Sequence, residues 1–551
     1  MAAKTFVNLV IDWKFDIYGK SKDYLQMKQI PEIYMLKLSI VVGISKKSEI
    51  PTTIVLIFHK KAYLCRAKQF VMAIIIGRKQ EQKELRRMFA SDEAEMVVVY
   101  GRRRVGKTFL VNQVFAQEEF AFKVTGLYKK RMSVQLENFA SALKEYSNHS
   151  ASSIPKTWME AFDQLKSHLK ETKTGKKRVL FFDELPWMDT KGSQFLSAFE
   201  WFWNGWGNAQ DDLMLIVCGS ATNWIINKFF KQKGGLYNRA NSKMFLKPFT
   251  LAETEQYFQK QGIEMERYDI AQIYMVMGGI PYYLKQIEAG RPLADNIDNC
   301  FFKTNGKLWD EFENLYETLF AQSDIYIRIV EALASKRMGL TREEIIAVSK
   351  LPDNGALSRA LKDLVKCGFV RAYTYYGRKT KTQTYQLADF YTLFYFLFIK
   401  DNYGQDEHFW THMLDNPKKN AWLGYSFEQL IKDHIEQVKK ALGIASVLTQ
   451  QSSWFIEHRD LDNVTLNGAQ IDLVIDRRDK AINLCESKFY SGEFTIDKAY
   501  SLTLRNKVAA FKAATKTRKS IVPTMITTFG IKRNMYCGNI QQEVTLDDLF
   551  S

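Results

Sequence analysis

The sequence predicts an α/β chain in three parts: a parallel sheet covered by helices, a small module of three helices and a β-hairpin, and a second α/β unit. Three observations lead there. Apolar β-type runs at Met96–Tyr100, Val179–Phe182 and Leu213–Cys218 are separated by amphipathic stretches such as Ser133–Tyr146 and Thr157–Thr172, the rhythm of strands joined through helical crossovers. Residues 325–390 then switch to three short helical segments and two short strands. Residues 421–551 open on an amphipathic helix, Glu428–Leu442, and continue into apolar runs at Gly468–Ile475 and Ala481–Phe489 around a polar turn, Arg477–Lys480.

Composition bounds the rest. A chain of 551 residues holds roughly three to five domains. With 46% hydrophobic and 14% aromatic residues, bulk disorder is excluded. The six cysteines (65, 218, 300, 367, 485, 537) form no C-x-x-C pair, which argues against a zinc ribbon or thioredoxin motif and for reduced thiols. No apolar run approaches the ~18 residues a membrane helix needs, and Asp12 and Lys14 interrupt any signal-peptide core, so the chain reads as cytoplasmic with no membrane partner. The net charge of +17 admits a polyanion partner. It is uneven: residues 1–71 carry +7, 72–324 carry +3, 325–390 carry +6 and 391–551 carry +1.

In chain order, residues 1–71 show no clear periodicity; they read either as a small accessory segment or as an over-extended reading frame ahead of Met72. Residues 72–250 read as a core α/β domain and 251–324 as a helical lid. Within the core, Gly101-Arg102-Arg103-Arg104-Val105-Gly106-Lys107-Thr108 follows a strand and opens a helix near Phe109, the context of a phosphate-binding loop. Gly101 and Gly106 let backbone N–H groups curl toward phosphates, and the helix N-terminus adds its positive end. Lys107 reaches the β- and γ-phosphates of ATP, and the Thr108 hydroxyl ligates Mg²⁺. Val179–Phe182 ends in Asp183 and Glu184; Asp183 suits the metal and Glu184 suits polarisation of an attacking water. After Leu213–Cys218, Ser220 or Asn223 can meet the γ-phosphate; ordinary turn chemistry explains them equally well.

Residues 325–390 carry the pattern of a winged helix-turn-helix. Ile325–Lys336 is followed by a helix capped by Thr341–Glu344, by a third helix at Ala356–Cys367 and by strands at Phe369–Tyr375 and Thr382–Leu387. Arg359 and Lys362 on the third helix, and Arg371, Arg378, Lys379 and Lys381 in the hairpin, are candidates for DNA phosphates or grooves. The rival reading is a lid packed on the first domain. Residues 391–420 read as an aromatic linker, and His408 and His412 lack the Glu of a zinc-protease motif. In residues 421–551, Glu486 and Lys488 share a strand face and Asp472 can meet them from the neighbouring strand. Two carboxylates and an amine then converge, with Glu428 from the helix as a further ligand, a set suited to Mg²⁺-dependent phosphodiester cleavage.

Taken in order, Gly77-Arg78, the loop Gly101–Thr108, Phe181–Glu184, Cys218–Ser220 and Leu236–Arg239 resemble the archaeal-type P-loop ATPases, relatives of the AAA+ and STAND enzymes. Gly278–Leu284, with Pro281, is similar to the Gly-x-Pro element of that family's lid. The resemblance covers about residues 72–551. It implies that Gly77 and Arg78 lie near the adenine and that Arg239 acts as an arginine finger or sensor. Asn238 stands where the family has Gly, and Asn also tolerates positive φ. Asp472, Glu486 and Lys488 resemble the PD-(D/E)XK nucleases, a domain the family carries at this position. The expectation is therefore a P-loop NTPase sheet with helical lid, a winged helix and a restriction-endonuclease-like domain: an ATP-hydrolysing protein acting on DNA. The alternatives are a STAND-like regulator whose last domain binds without cutting, and a nucleotide-gated scaffold. Assembly into a homo-oligomer is left open.

Overall fold

β1 (Glu95–Tyr100) is almost wholly buried, as a central parallel strand covered on both faces requires. The structure, a computed structural model, describes residues 75–551 apart from 148–152, 221, 232–234, 321, 379–382, 403, 458, 462–463 and 467. The expectations for residues 1–71 and for Lys379 and Lys381 lie outside the described residues.

The first sheet holds β1, β2 (Phe120–Thr125), β3 (Arg178–Asp183), β4 (Leu213–Gly219) and β5 (Ser242–Phe245) in the order β2-β3-β4-β1-β5, with every pairing parallel. Strand alternation sorts its side chains between two cores. Val97, Val99 and Phe181 join one cluster; Met96, Val98 and Phe182 join the other. After α1 (Lys79–Phe89), the flanking helices are α2 (Lys107–Val114), α3 (Met132–Tyr146), α4 (Trp158–Glu171), α5 (Phe195–Gly205) and the short α6 (Thr222–Ile225). The strands and helices read from the sequence fall within one or two residues of these bounds. β2 and β5, shorter in apolar pattern, carry no comparable sequence signal.

The lid follows as α7 (Leu251–Lys260), α8 (Arg267–Met277), α9 (Pro281–Leu284), α10 (Leu293–Phe301) and α11 (Glu311–Leu319). Next come α12 (Ser323–Ala334), β6 (Leu340–Thr341), α13 (Arg342–Ser349), α14 (Gly355–Lys366), β7 (Val370–Tyr373) and β8 (Thr384–Leu387), with a three-stranded sheet ordered β6-β8-β7. Caps set these boundaries: Thr341 Oγ1 accepts from Glu344 N at 3.3 Å, and Asn354 Oδ1 accepts from Ala356 N at 2.9 Å.

Two boundaries differ from expectation. Residues 390–399 and 409–412 are helical and contribute to the largest core cluster: α15 (Phe390–Phe394), a π turn at Tyr395–Ile399 and α16 (Phe409–His412). Their aromatics pack instead of spacing two domains; Phe312 stacks on Tyr395 with ring centres 3.9 Å apart. The helix expected to open at Glu428 starts eleven residues earlier as α17 (Pro417–Asp433), because Asn416 caps it and Pro417 occupies its first turn. Glu428 is thus deep in a helix that ends at Asp433, before α18 (Ile435–Ala441).

The last unit contains β9 (Thr449–Ile456), the short pair β10 (Arg459–Leu461) and β11 (Val464–Leu466), β12 (Ala469–Arg477), β13 (Ala481–Lys488), β14 (Phe494–Thr495), α19 (Lys498–Thr515), β15 (Ser520–Thr527), β16 (Ile531–Lys532) and β17 (Gln542–Thr545). Its main sheet runs β17-β15-β13-β12-β9. β9, β12 and β13 form an antiparallel meander, and α19 crosses over to bring β15 parallel to β13.

Candidate functional site

The phosphate loop joins β1 to α2. Gly101 has φ +145°, and a Cβ there would stand 2.4 Å from the Leu246 carbonyl oxygen, so only glycine fits. Gly106, at φ +92°, turns the chain into α2. Lys107 is buried, and its Nζ donates to the carbonyls of Gly101 (3.1 Å) and Arg102 (2.8 Å). The ammonium is therefore held inside the loop it serves. Thr108 Oγ1 donates to Asp183 Oδ2 at 2.9 Å, which brings the helix start and the end of β3 together. Two oxygen donors of this kind fit a Mg²⁺ ion.

Glu184 follows at φ +45°, a left-handed conformation that a non-glycine residue holds only when its surroundings enforce it. Its Oε2 accepts from Ser220 N (3.0 Å) and Ser220 Oγ (2.8 Å) at the end of β4. Ser220 thus holds the glutamate. Asn223 is committed elsewhere: its Oδ1 accepts from Lys366 Nζ at 2.7 Å, from the end of α14. Arg78 is buried, its guanidinium 5.0 Å from the Phe249 ring centre and bonded to the Lys247 carbonyl at 2.5 Å. Phe249 in turn accommodates Gly279, where a Cβ would meet the Phe249 carbonyl at 2.0 Å. Arg78 and the lid element before Pro281 therefore meet around one aromatic residue, while Gly77 lies against Glu253 of α7. Within the loop Val105 is buried, whereas Phe109 on α2 is 46% exposed.

Residues 75–287 match the model of an ATPase domain predominantly from Archaea. The chain carries an archaeal-type ATPase domain. An uncharacterized protein of Methanocaldococcus jannaschii is 24% identical over 397 residues, covering 72% of this chain and 84% of its own. Among solved structures, the Walker-type ATPase of Pyrococcus abyssi is 18% identical, covers 58% of this chain and 96% of its own, and gives a TM-score of 0.41. The Aeropyrum pernix ORC2 protein, solved in ADPNP–ADP complexes, is 13% identical, covers 62% and 96%, and gives 0.38.

In the ATPase domain, Arg239 is exposed, and Asn238 before it has φ +58°. The three loop arginines divide. Arg102 and Arg104 turn their side chains to acids outside the loop, Asp389 and Glu311; Arg103 is half-buried. No helix among the described residues is long and apolar enough to cross a membrane.

Downstream of the ATPase domain a second cluster of charge forms. Asp472 stands at a register shift between Ile471 and Val474 on β12, and continuing the β12–β13 register from Leu473–Cys485 sets it opposite Glu486. The bulge re-aims the strand at that point. Burial and the charge of Asp472 push Glu486 up to about 7 and Glu428 up to about 8. Three carboxylates from α17, β12 and β13 therefore sense one another. Asp472 Oδ2 also accepts from Ser487 N at 3.3 Å. Lys488 lies 5.2 Å from the Tyr500 ring centre.

Three members of this centre were not read from the sequence. Lys507 Nζ donates to Glu486 Oε1 at 2.6 Å. Lys432, one turn after Glu428, is pushed down to about 8 by burial and by the guanidinium of Arg371. The buried Tyr500 hydroxyl has no hydrogen-bond partner, and the charges of Glu486 and Asp472 act on it. The signal for two of them was available: Tyr500 and Lys507 are seven apart on one helix and so share a face. Among the described residues, no three His, Cys, Asp or Glu side chains converge closely enough to enclose a metal ion.

The hairpin cations are partly spent within the molecule. Arg371 bonds to Gln429 Oε1 at 2.5 Å and pairs with Asp433 of α17. Arg378 is exposed but stacks 4.2 Å from the Phe455 ring centre, while Tyr376 N donates to Ser453 O of β9 at 2.9 Å. Arg359 and Lys362 on α14 remain at least partly exposed. His412 Nδ1 bonds to Asp406 at 2.8 Å on the surface.

Proposed function

We propose that the protein hydrolyses Mg·ATP and couples that cycle to a winged helix and a nuclease-like domain acting on DNA. The observation that carries the first half is the chain of contacts Lys107, Thr108–Asp183 and Glu184–Ser220 at one edge of a parallel sheet. Loop N–H groups and the α2 N-terminus bind the phosphates. Lys107 exchanges two carbonyl partners for phosphate oxygens and offsets their charge. Thr108 and Asp183 would hold Mg²⁺, which supplies further neutralisation of the phosphates. Glu184, held by Ser220, orients water and takes its proton. Exposed Arg239 suits a finger offered to a neighbouring copy. Lys107→Ala should lower ATP-dependent phosphate release at least ~100-fold; release at the wild-type rate removes this reading.

The DNA half draws support from α19, which works on both faces. Its inner face carries Tyr500 and Lys507 to the acidic centre. Its outer face lines up exposed Lys498, Arg505 and Lys512 at two-turn intervals, and the helix contains no acid. Such a stripe suits a phosphate backbone led past Asp472 and Glu486. A STAND-like regulator is the second reading, favoured by the hydrogen bond from Lys507 that already occupies Glu486.

A further inference from the structure

One residue of the phosphate loop answers to two distant parts of the chain. The Arg102 carbonyl accepts from Lys107 Nζ at 2.8 Å, while its guanidinium, almost fully buried, reaches Asp389 Oδ1 at 2.5 Å and lies 4.3 Å from the Phe369 ring centre. Asp389 is 287 residues away, shortly after β8. It is fixed in turn: its Oδ2 accepts from Thr392 N at 3.0 Å and Thr392 Oγ1 at 2.5 Å. Asp389 N and Ala388 N both donate to the Phe369 carbonyl, at 3.2 and 2.9 Å, so the acid and the ring that flank Arg102 form one unit. Two residues further along the loop, Arg104 pairs with buried Glu311 of α11 and lies 3.9 Å from the Tyr282 ring centre. Glu311 also accepts from Tyr283 OH at 2.7 Å.

We propose that Asp389 and Glu311 are positioning residues for ATP: through Arg102 and Arg104 they hold the phosphate loop in its cradle shape before nucleotide arrives. Both acids act through the arginines of the loop. A buried guanidinium needs its counter-charge, so the loop takes this shape only when the segment around β7, β8 and α15 is docked. An undocked segment frees the loop, lowers the fraction of molecules ready for ATP and weakens apparent affinity by that fraction. By reciprocity, ATP strengthens the docking of that segment. The inference rests on the ATP-site reading above and adds a route by which the distal modules control nucleotide affinity.

The test uses the full chain and a fluorescent ATP analogue with Mg²⁺. Asp389→Asn and Arg102→Met should weaken binding at least ~10-fold, and Arg102→Lys, which keeps the charge opposite Asp389, should recover most of it. For Asp389→Asn, KM for ATP should rise by more than kcat falls. The rise in melting temperature caused by nucleotide should shrink in Asp389→Asn and Arg102→Met, an effect that loss of simple packing between segments would not produce. Should Asp389→Asn fail to fold, Arg104→Leu supplies the second arm, since that side chain is partly exposed. Wild-type affinity in folded Arg102→Met or Arg104→Leu overturns the inference and leaves the ATP site intact. Wild-type protein that binds no nucleotide overturns both.

Discussion

The nucleotide site and the acidic centre of the last unit solve charge burial in opposite ways. At the first, Lys107 is met by two carbonyls of its own loop, Asp183 by a hydroxyl and Glu184 by one serine at a strand end. At the second, burial first and then the charge of Asp472 make Glu428 and Glu486 hold their protons into the neutral range, although Lys507 bonds to Glu486. In the loop, Lys107 finds its carbonyl partners within the same stretch, while Arg102 and Arg104 take theirs from Asp389 and Glu311. A centre assembled from three elements depends on register and packing to bring its partners in.

The largest expected effects break the two centres independently. Glu184→Gln should lower ATP turnover ~100-fold or more while nucleotide still binds. Asp472→Ala should remove Mg²⁺- or Mn²⁺-dependent plasmid nicking while turnover persists. Phosphate release and gel assays on both variants check this; nicking that survives in Asp472→Ala rejects the acidic centre as a nuclease site.

A smaller effect sharpens the contrast through pH. Because burial raises Glu486 to about 7, the native state binds a proton that the unfolded chain gives up near the ordinary Glu value. Its stabilisation is complete below about pH 4.5 and is lost as pH rises through 7. Metal-free protein should therefore lose a few degrees of melting temperature between pH 6 and 8, and Glu486→Gln should flatten that slope. Over the same interval, binding of Mn²⁺ should tighten ~10-fold, since the carboxylate ligates only when ionised. Titration calorimetry at the two pH values measures it.

The smallest expected effect concerns neither centre. Asn354→Ala removes the cap of α14 and should cost about 1 kcal/mol, read in a denaturant melt. ATP turnover should change little if α14 reaches the ATPase domain mainly through Lys366 and Asn223.

The sequence made the two centres unequally legible. Gly101, Gly106, Lys107, Thr108, Asp183 and Glu184 announce themselves because a phosphate cradle needs small residues, an amine and acids at fixed spacing after apolar strands. Asp472, Glu486 and Lys488 could be paired only by supposing two neighbouring strands, and the bulge at Asp472 had no sequence signal. Lys432 and Lys507 escaped notice because a lysine on an amphipathic helix usually faces water. The aromatic stretch after Asp389 looked like a linker since its charged ends hide that Tyr391, Phe394 and Phe398 are core residues. The hairpin arginines looked free, yet Arg371 is drawn to Asp433, an acid 62 residues away that no local pattern foretells.

The tether between Arg102 and Asp389 bears on how such a protein can be divided. The matched ATPase domain ends at residue 287, but the counter-ion of its phosphate loop lies at 389. The match to the domain model and structural self-sufficiency thus have different borders in this chain. A fragment cut at the first border would expose a guanidinium made for burial, and a transplant of the distal half from another protein would succeed only if it brought an acid to the same spot. One ion pair thereby limits which exchanges of parts this architecture can tolerate.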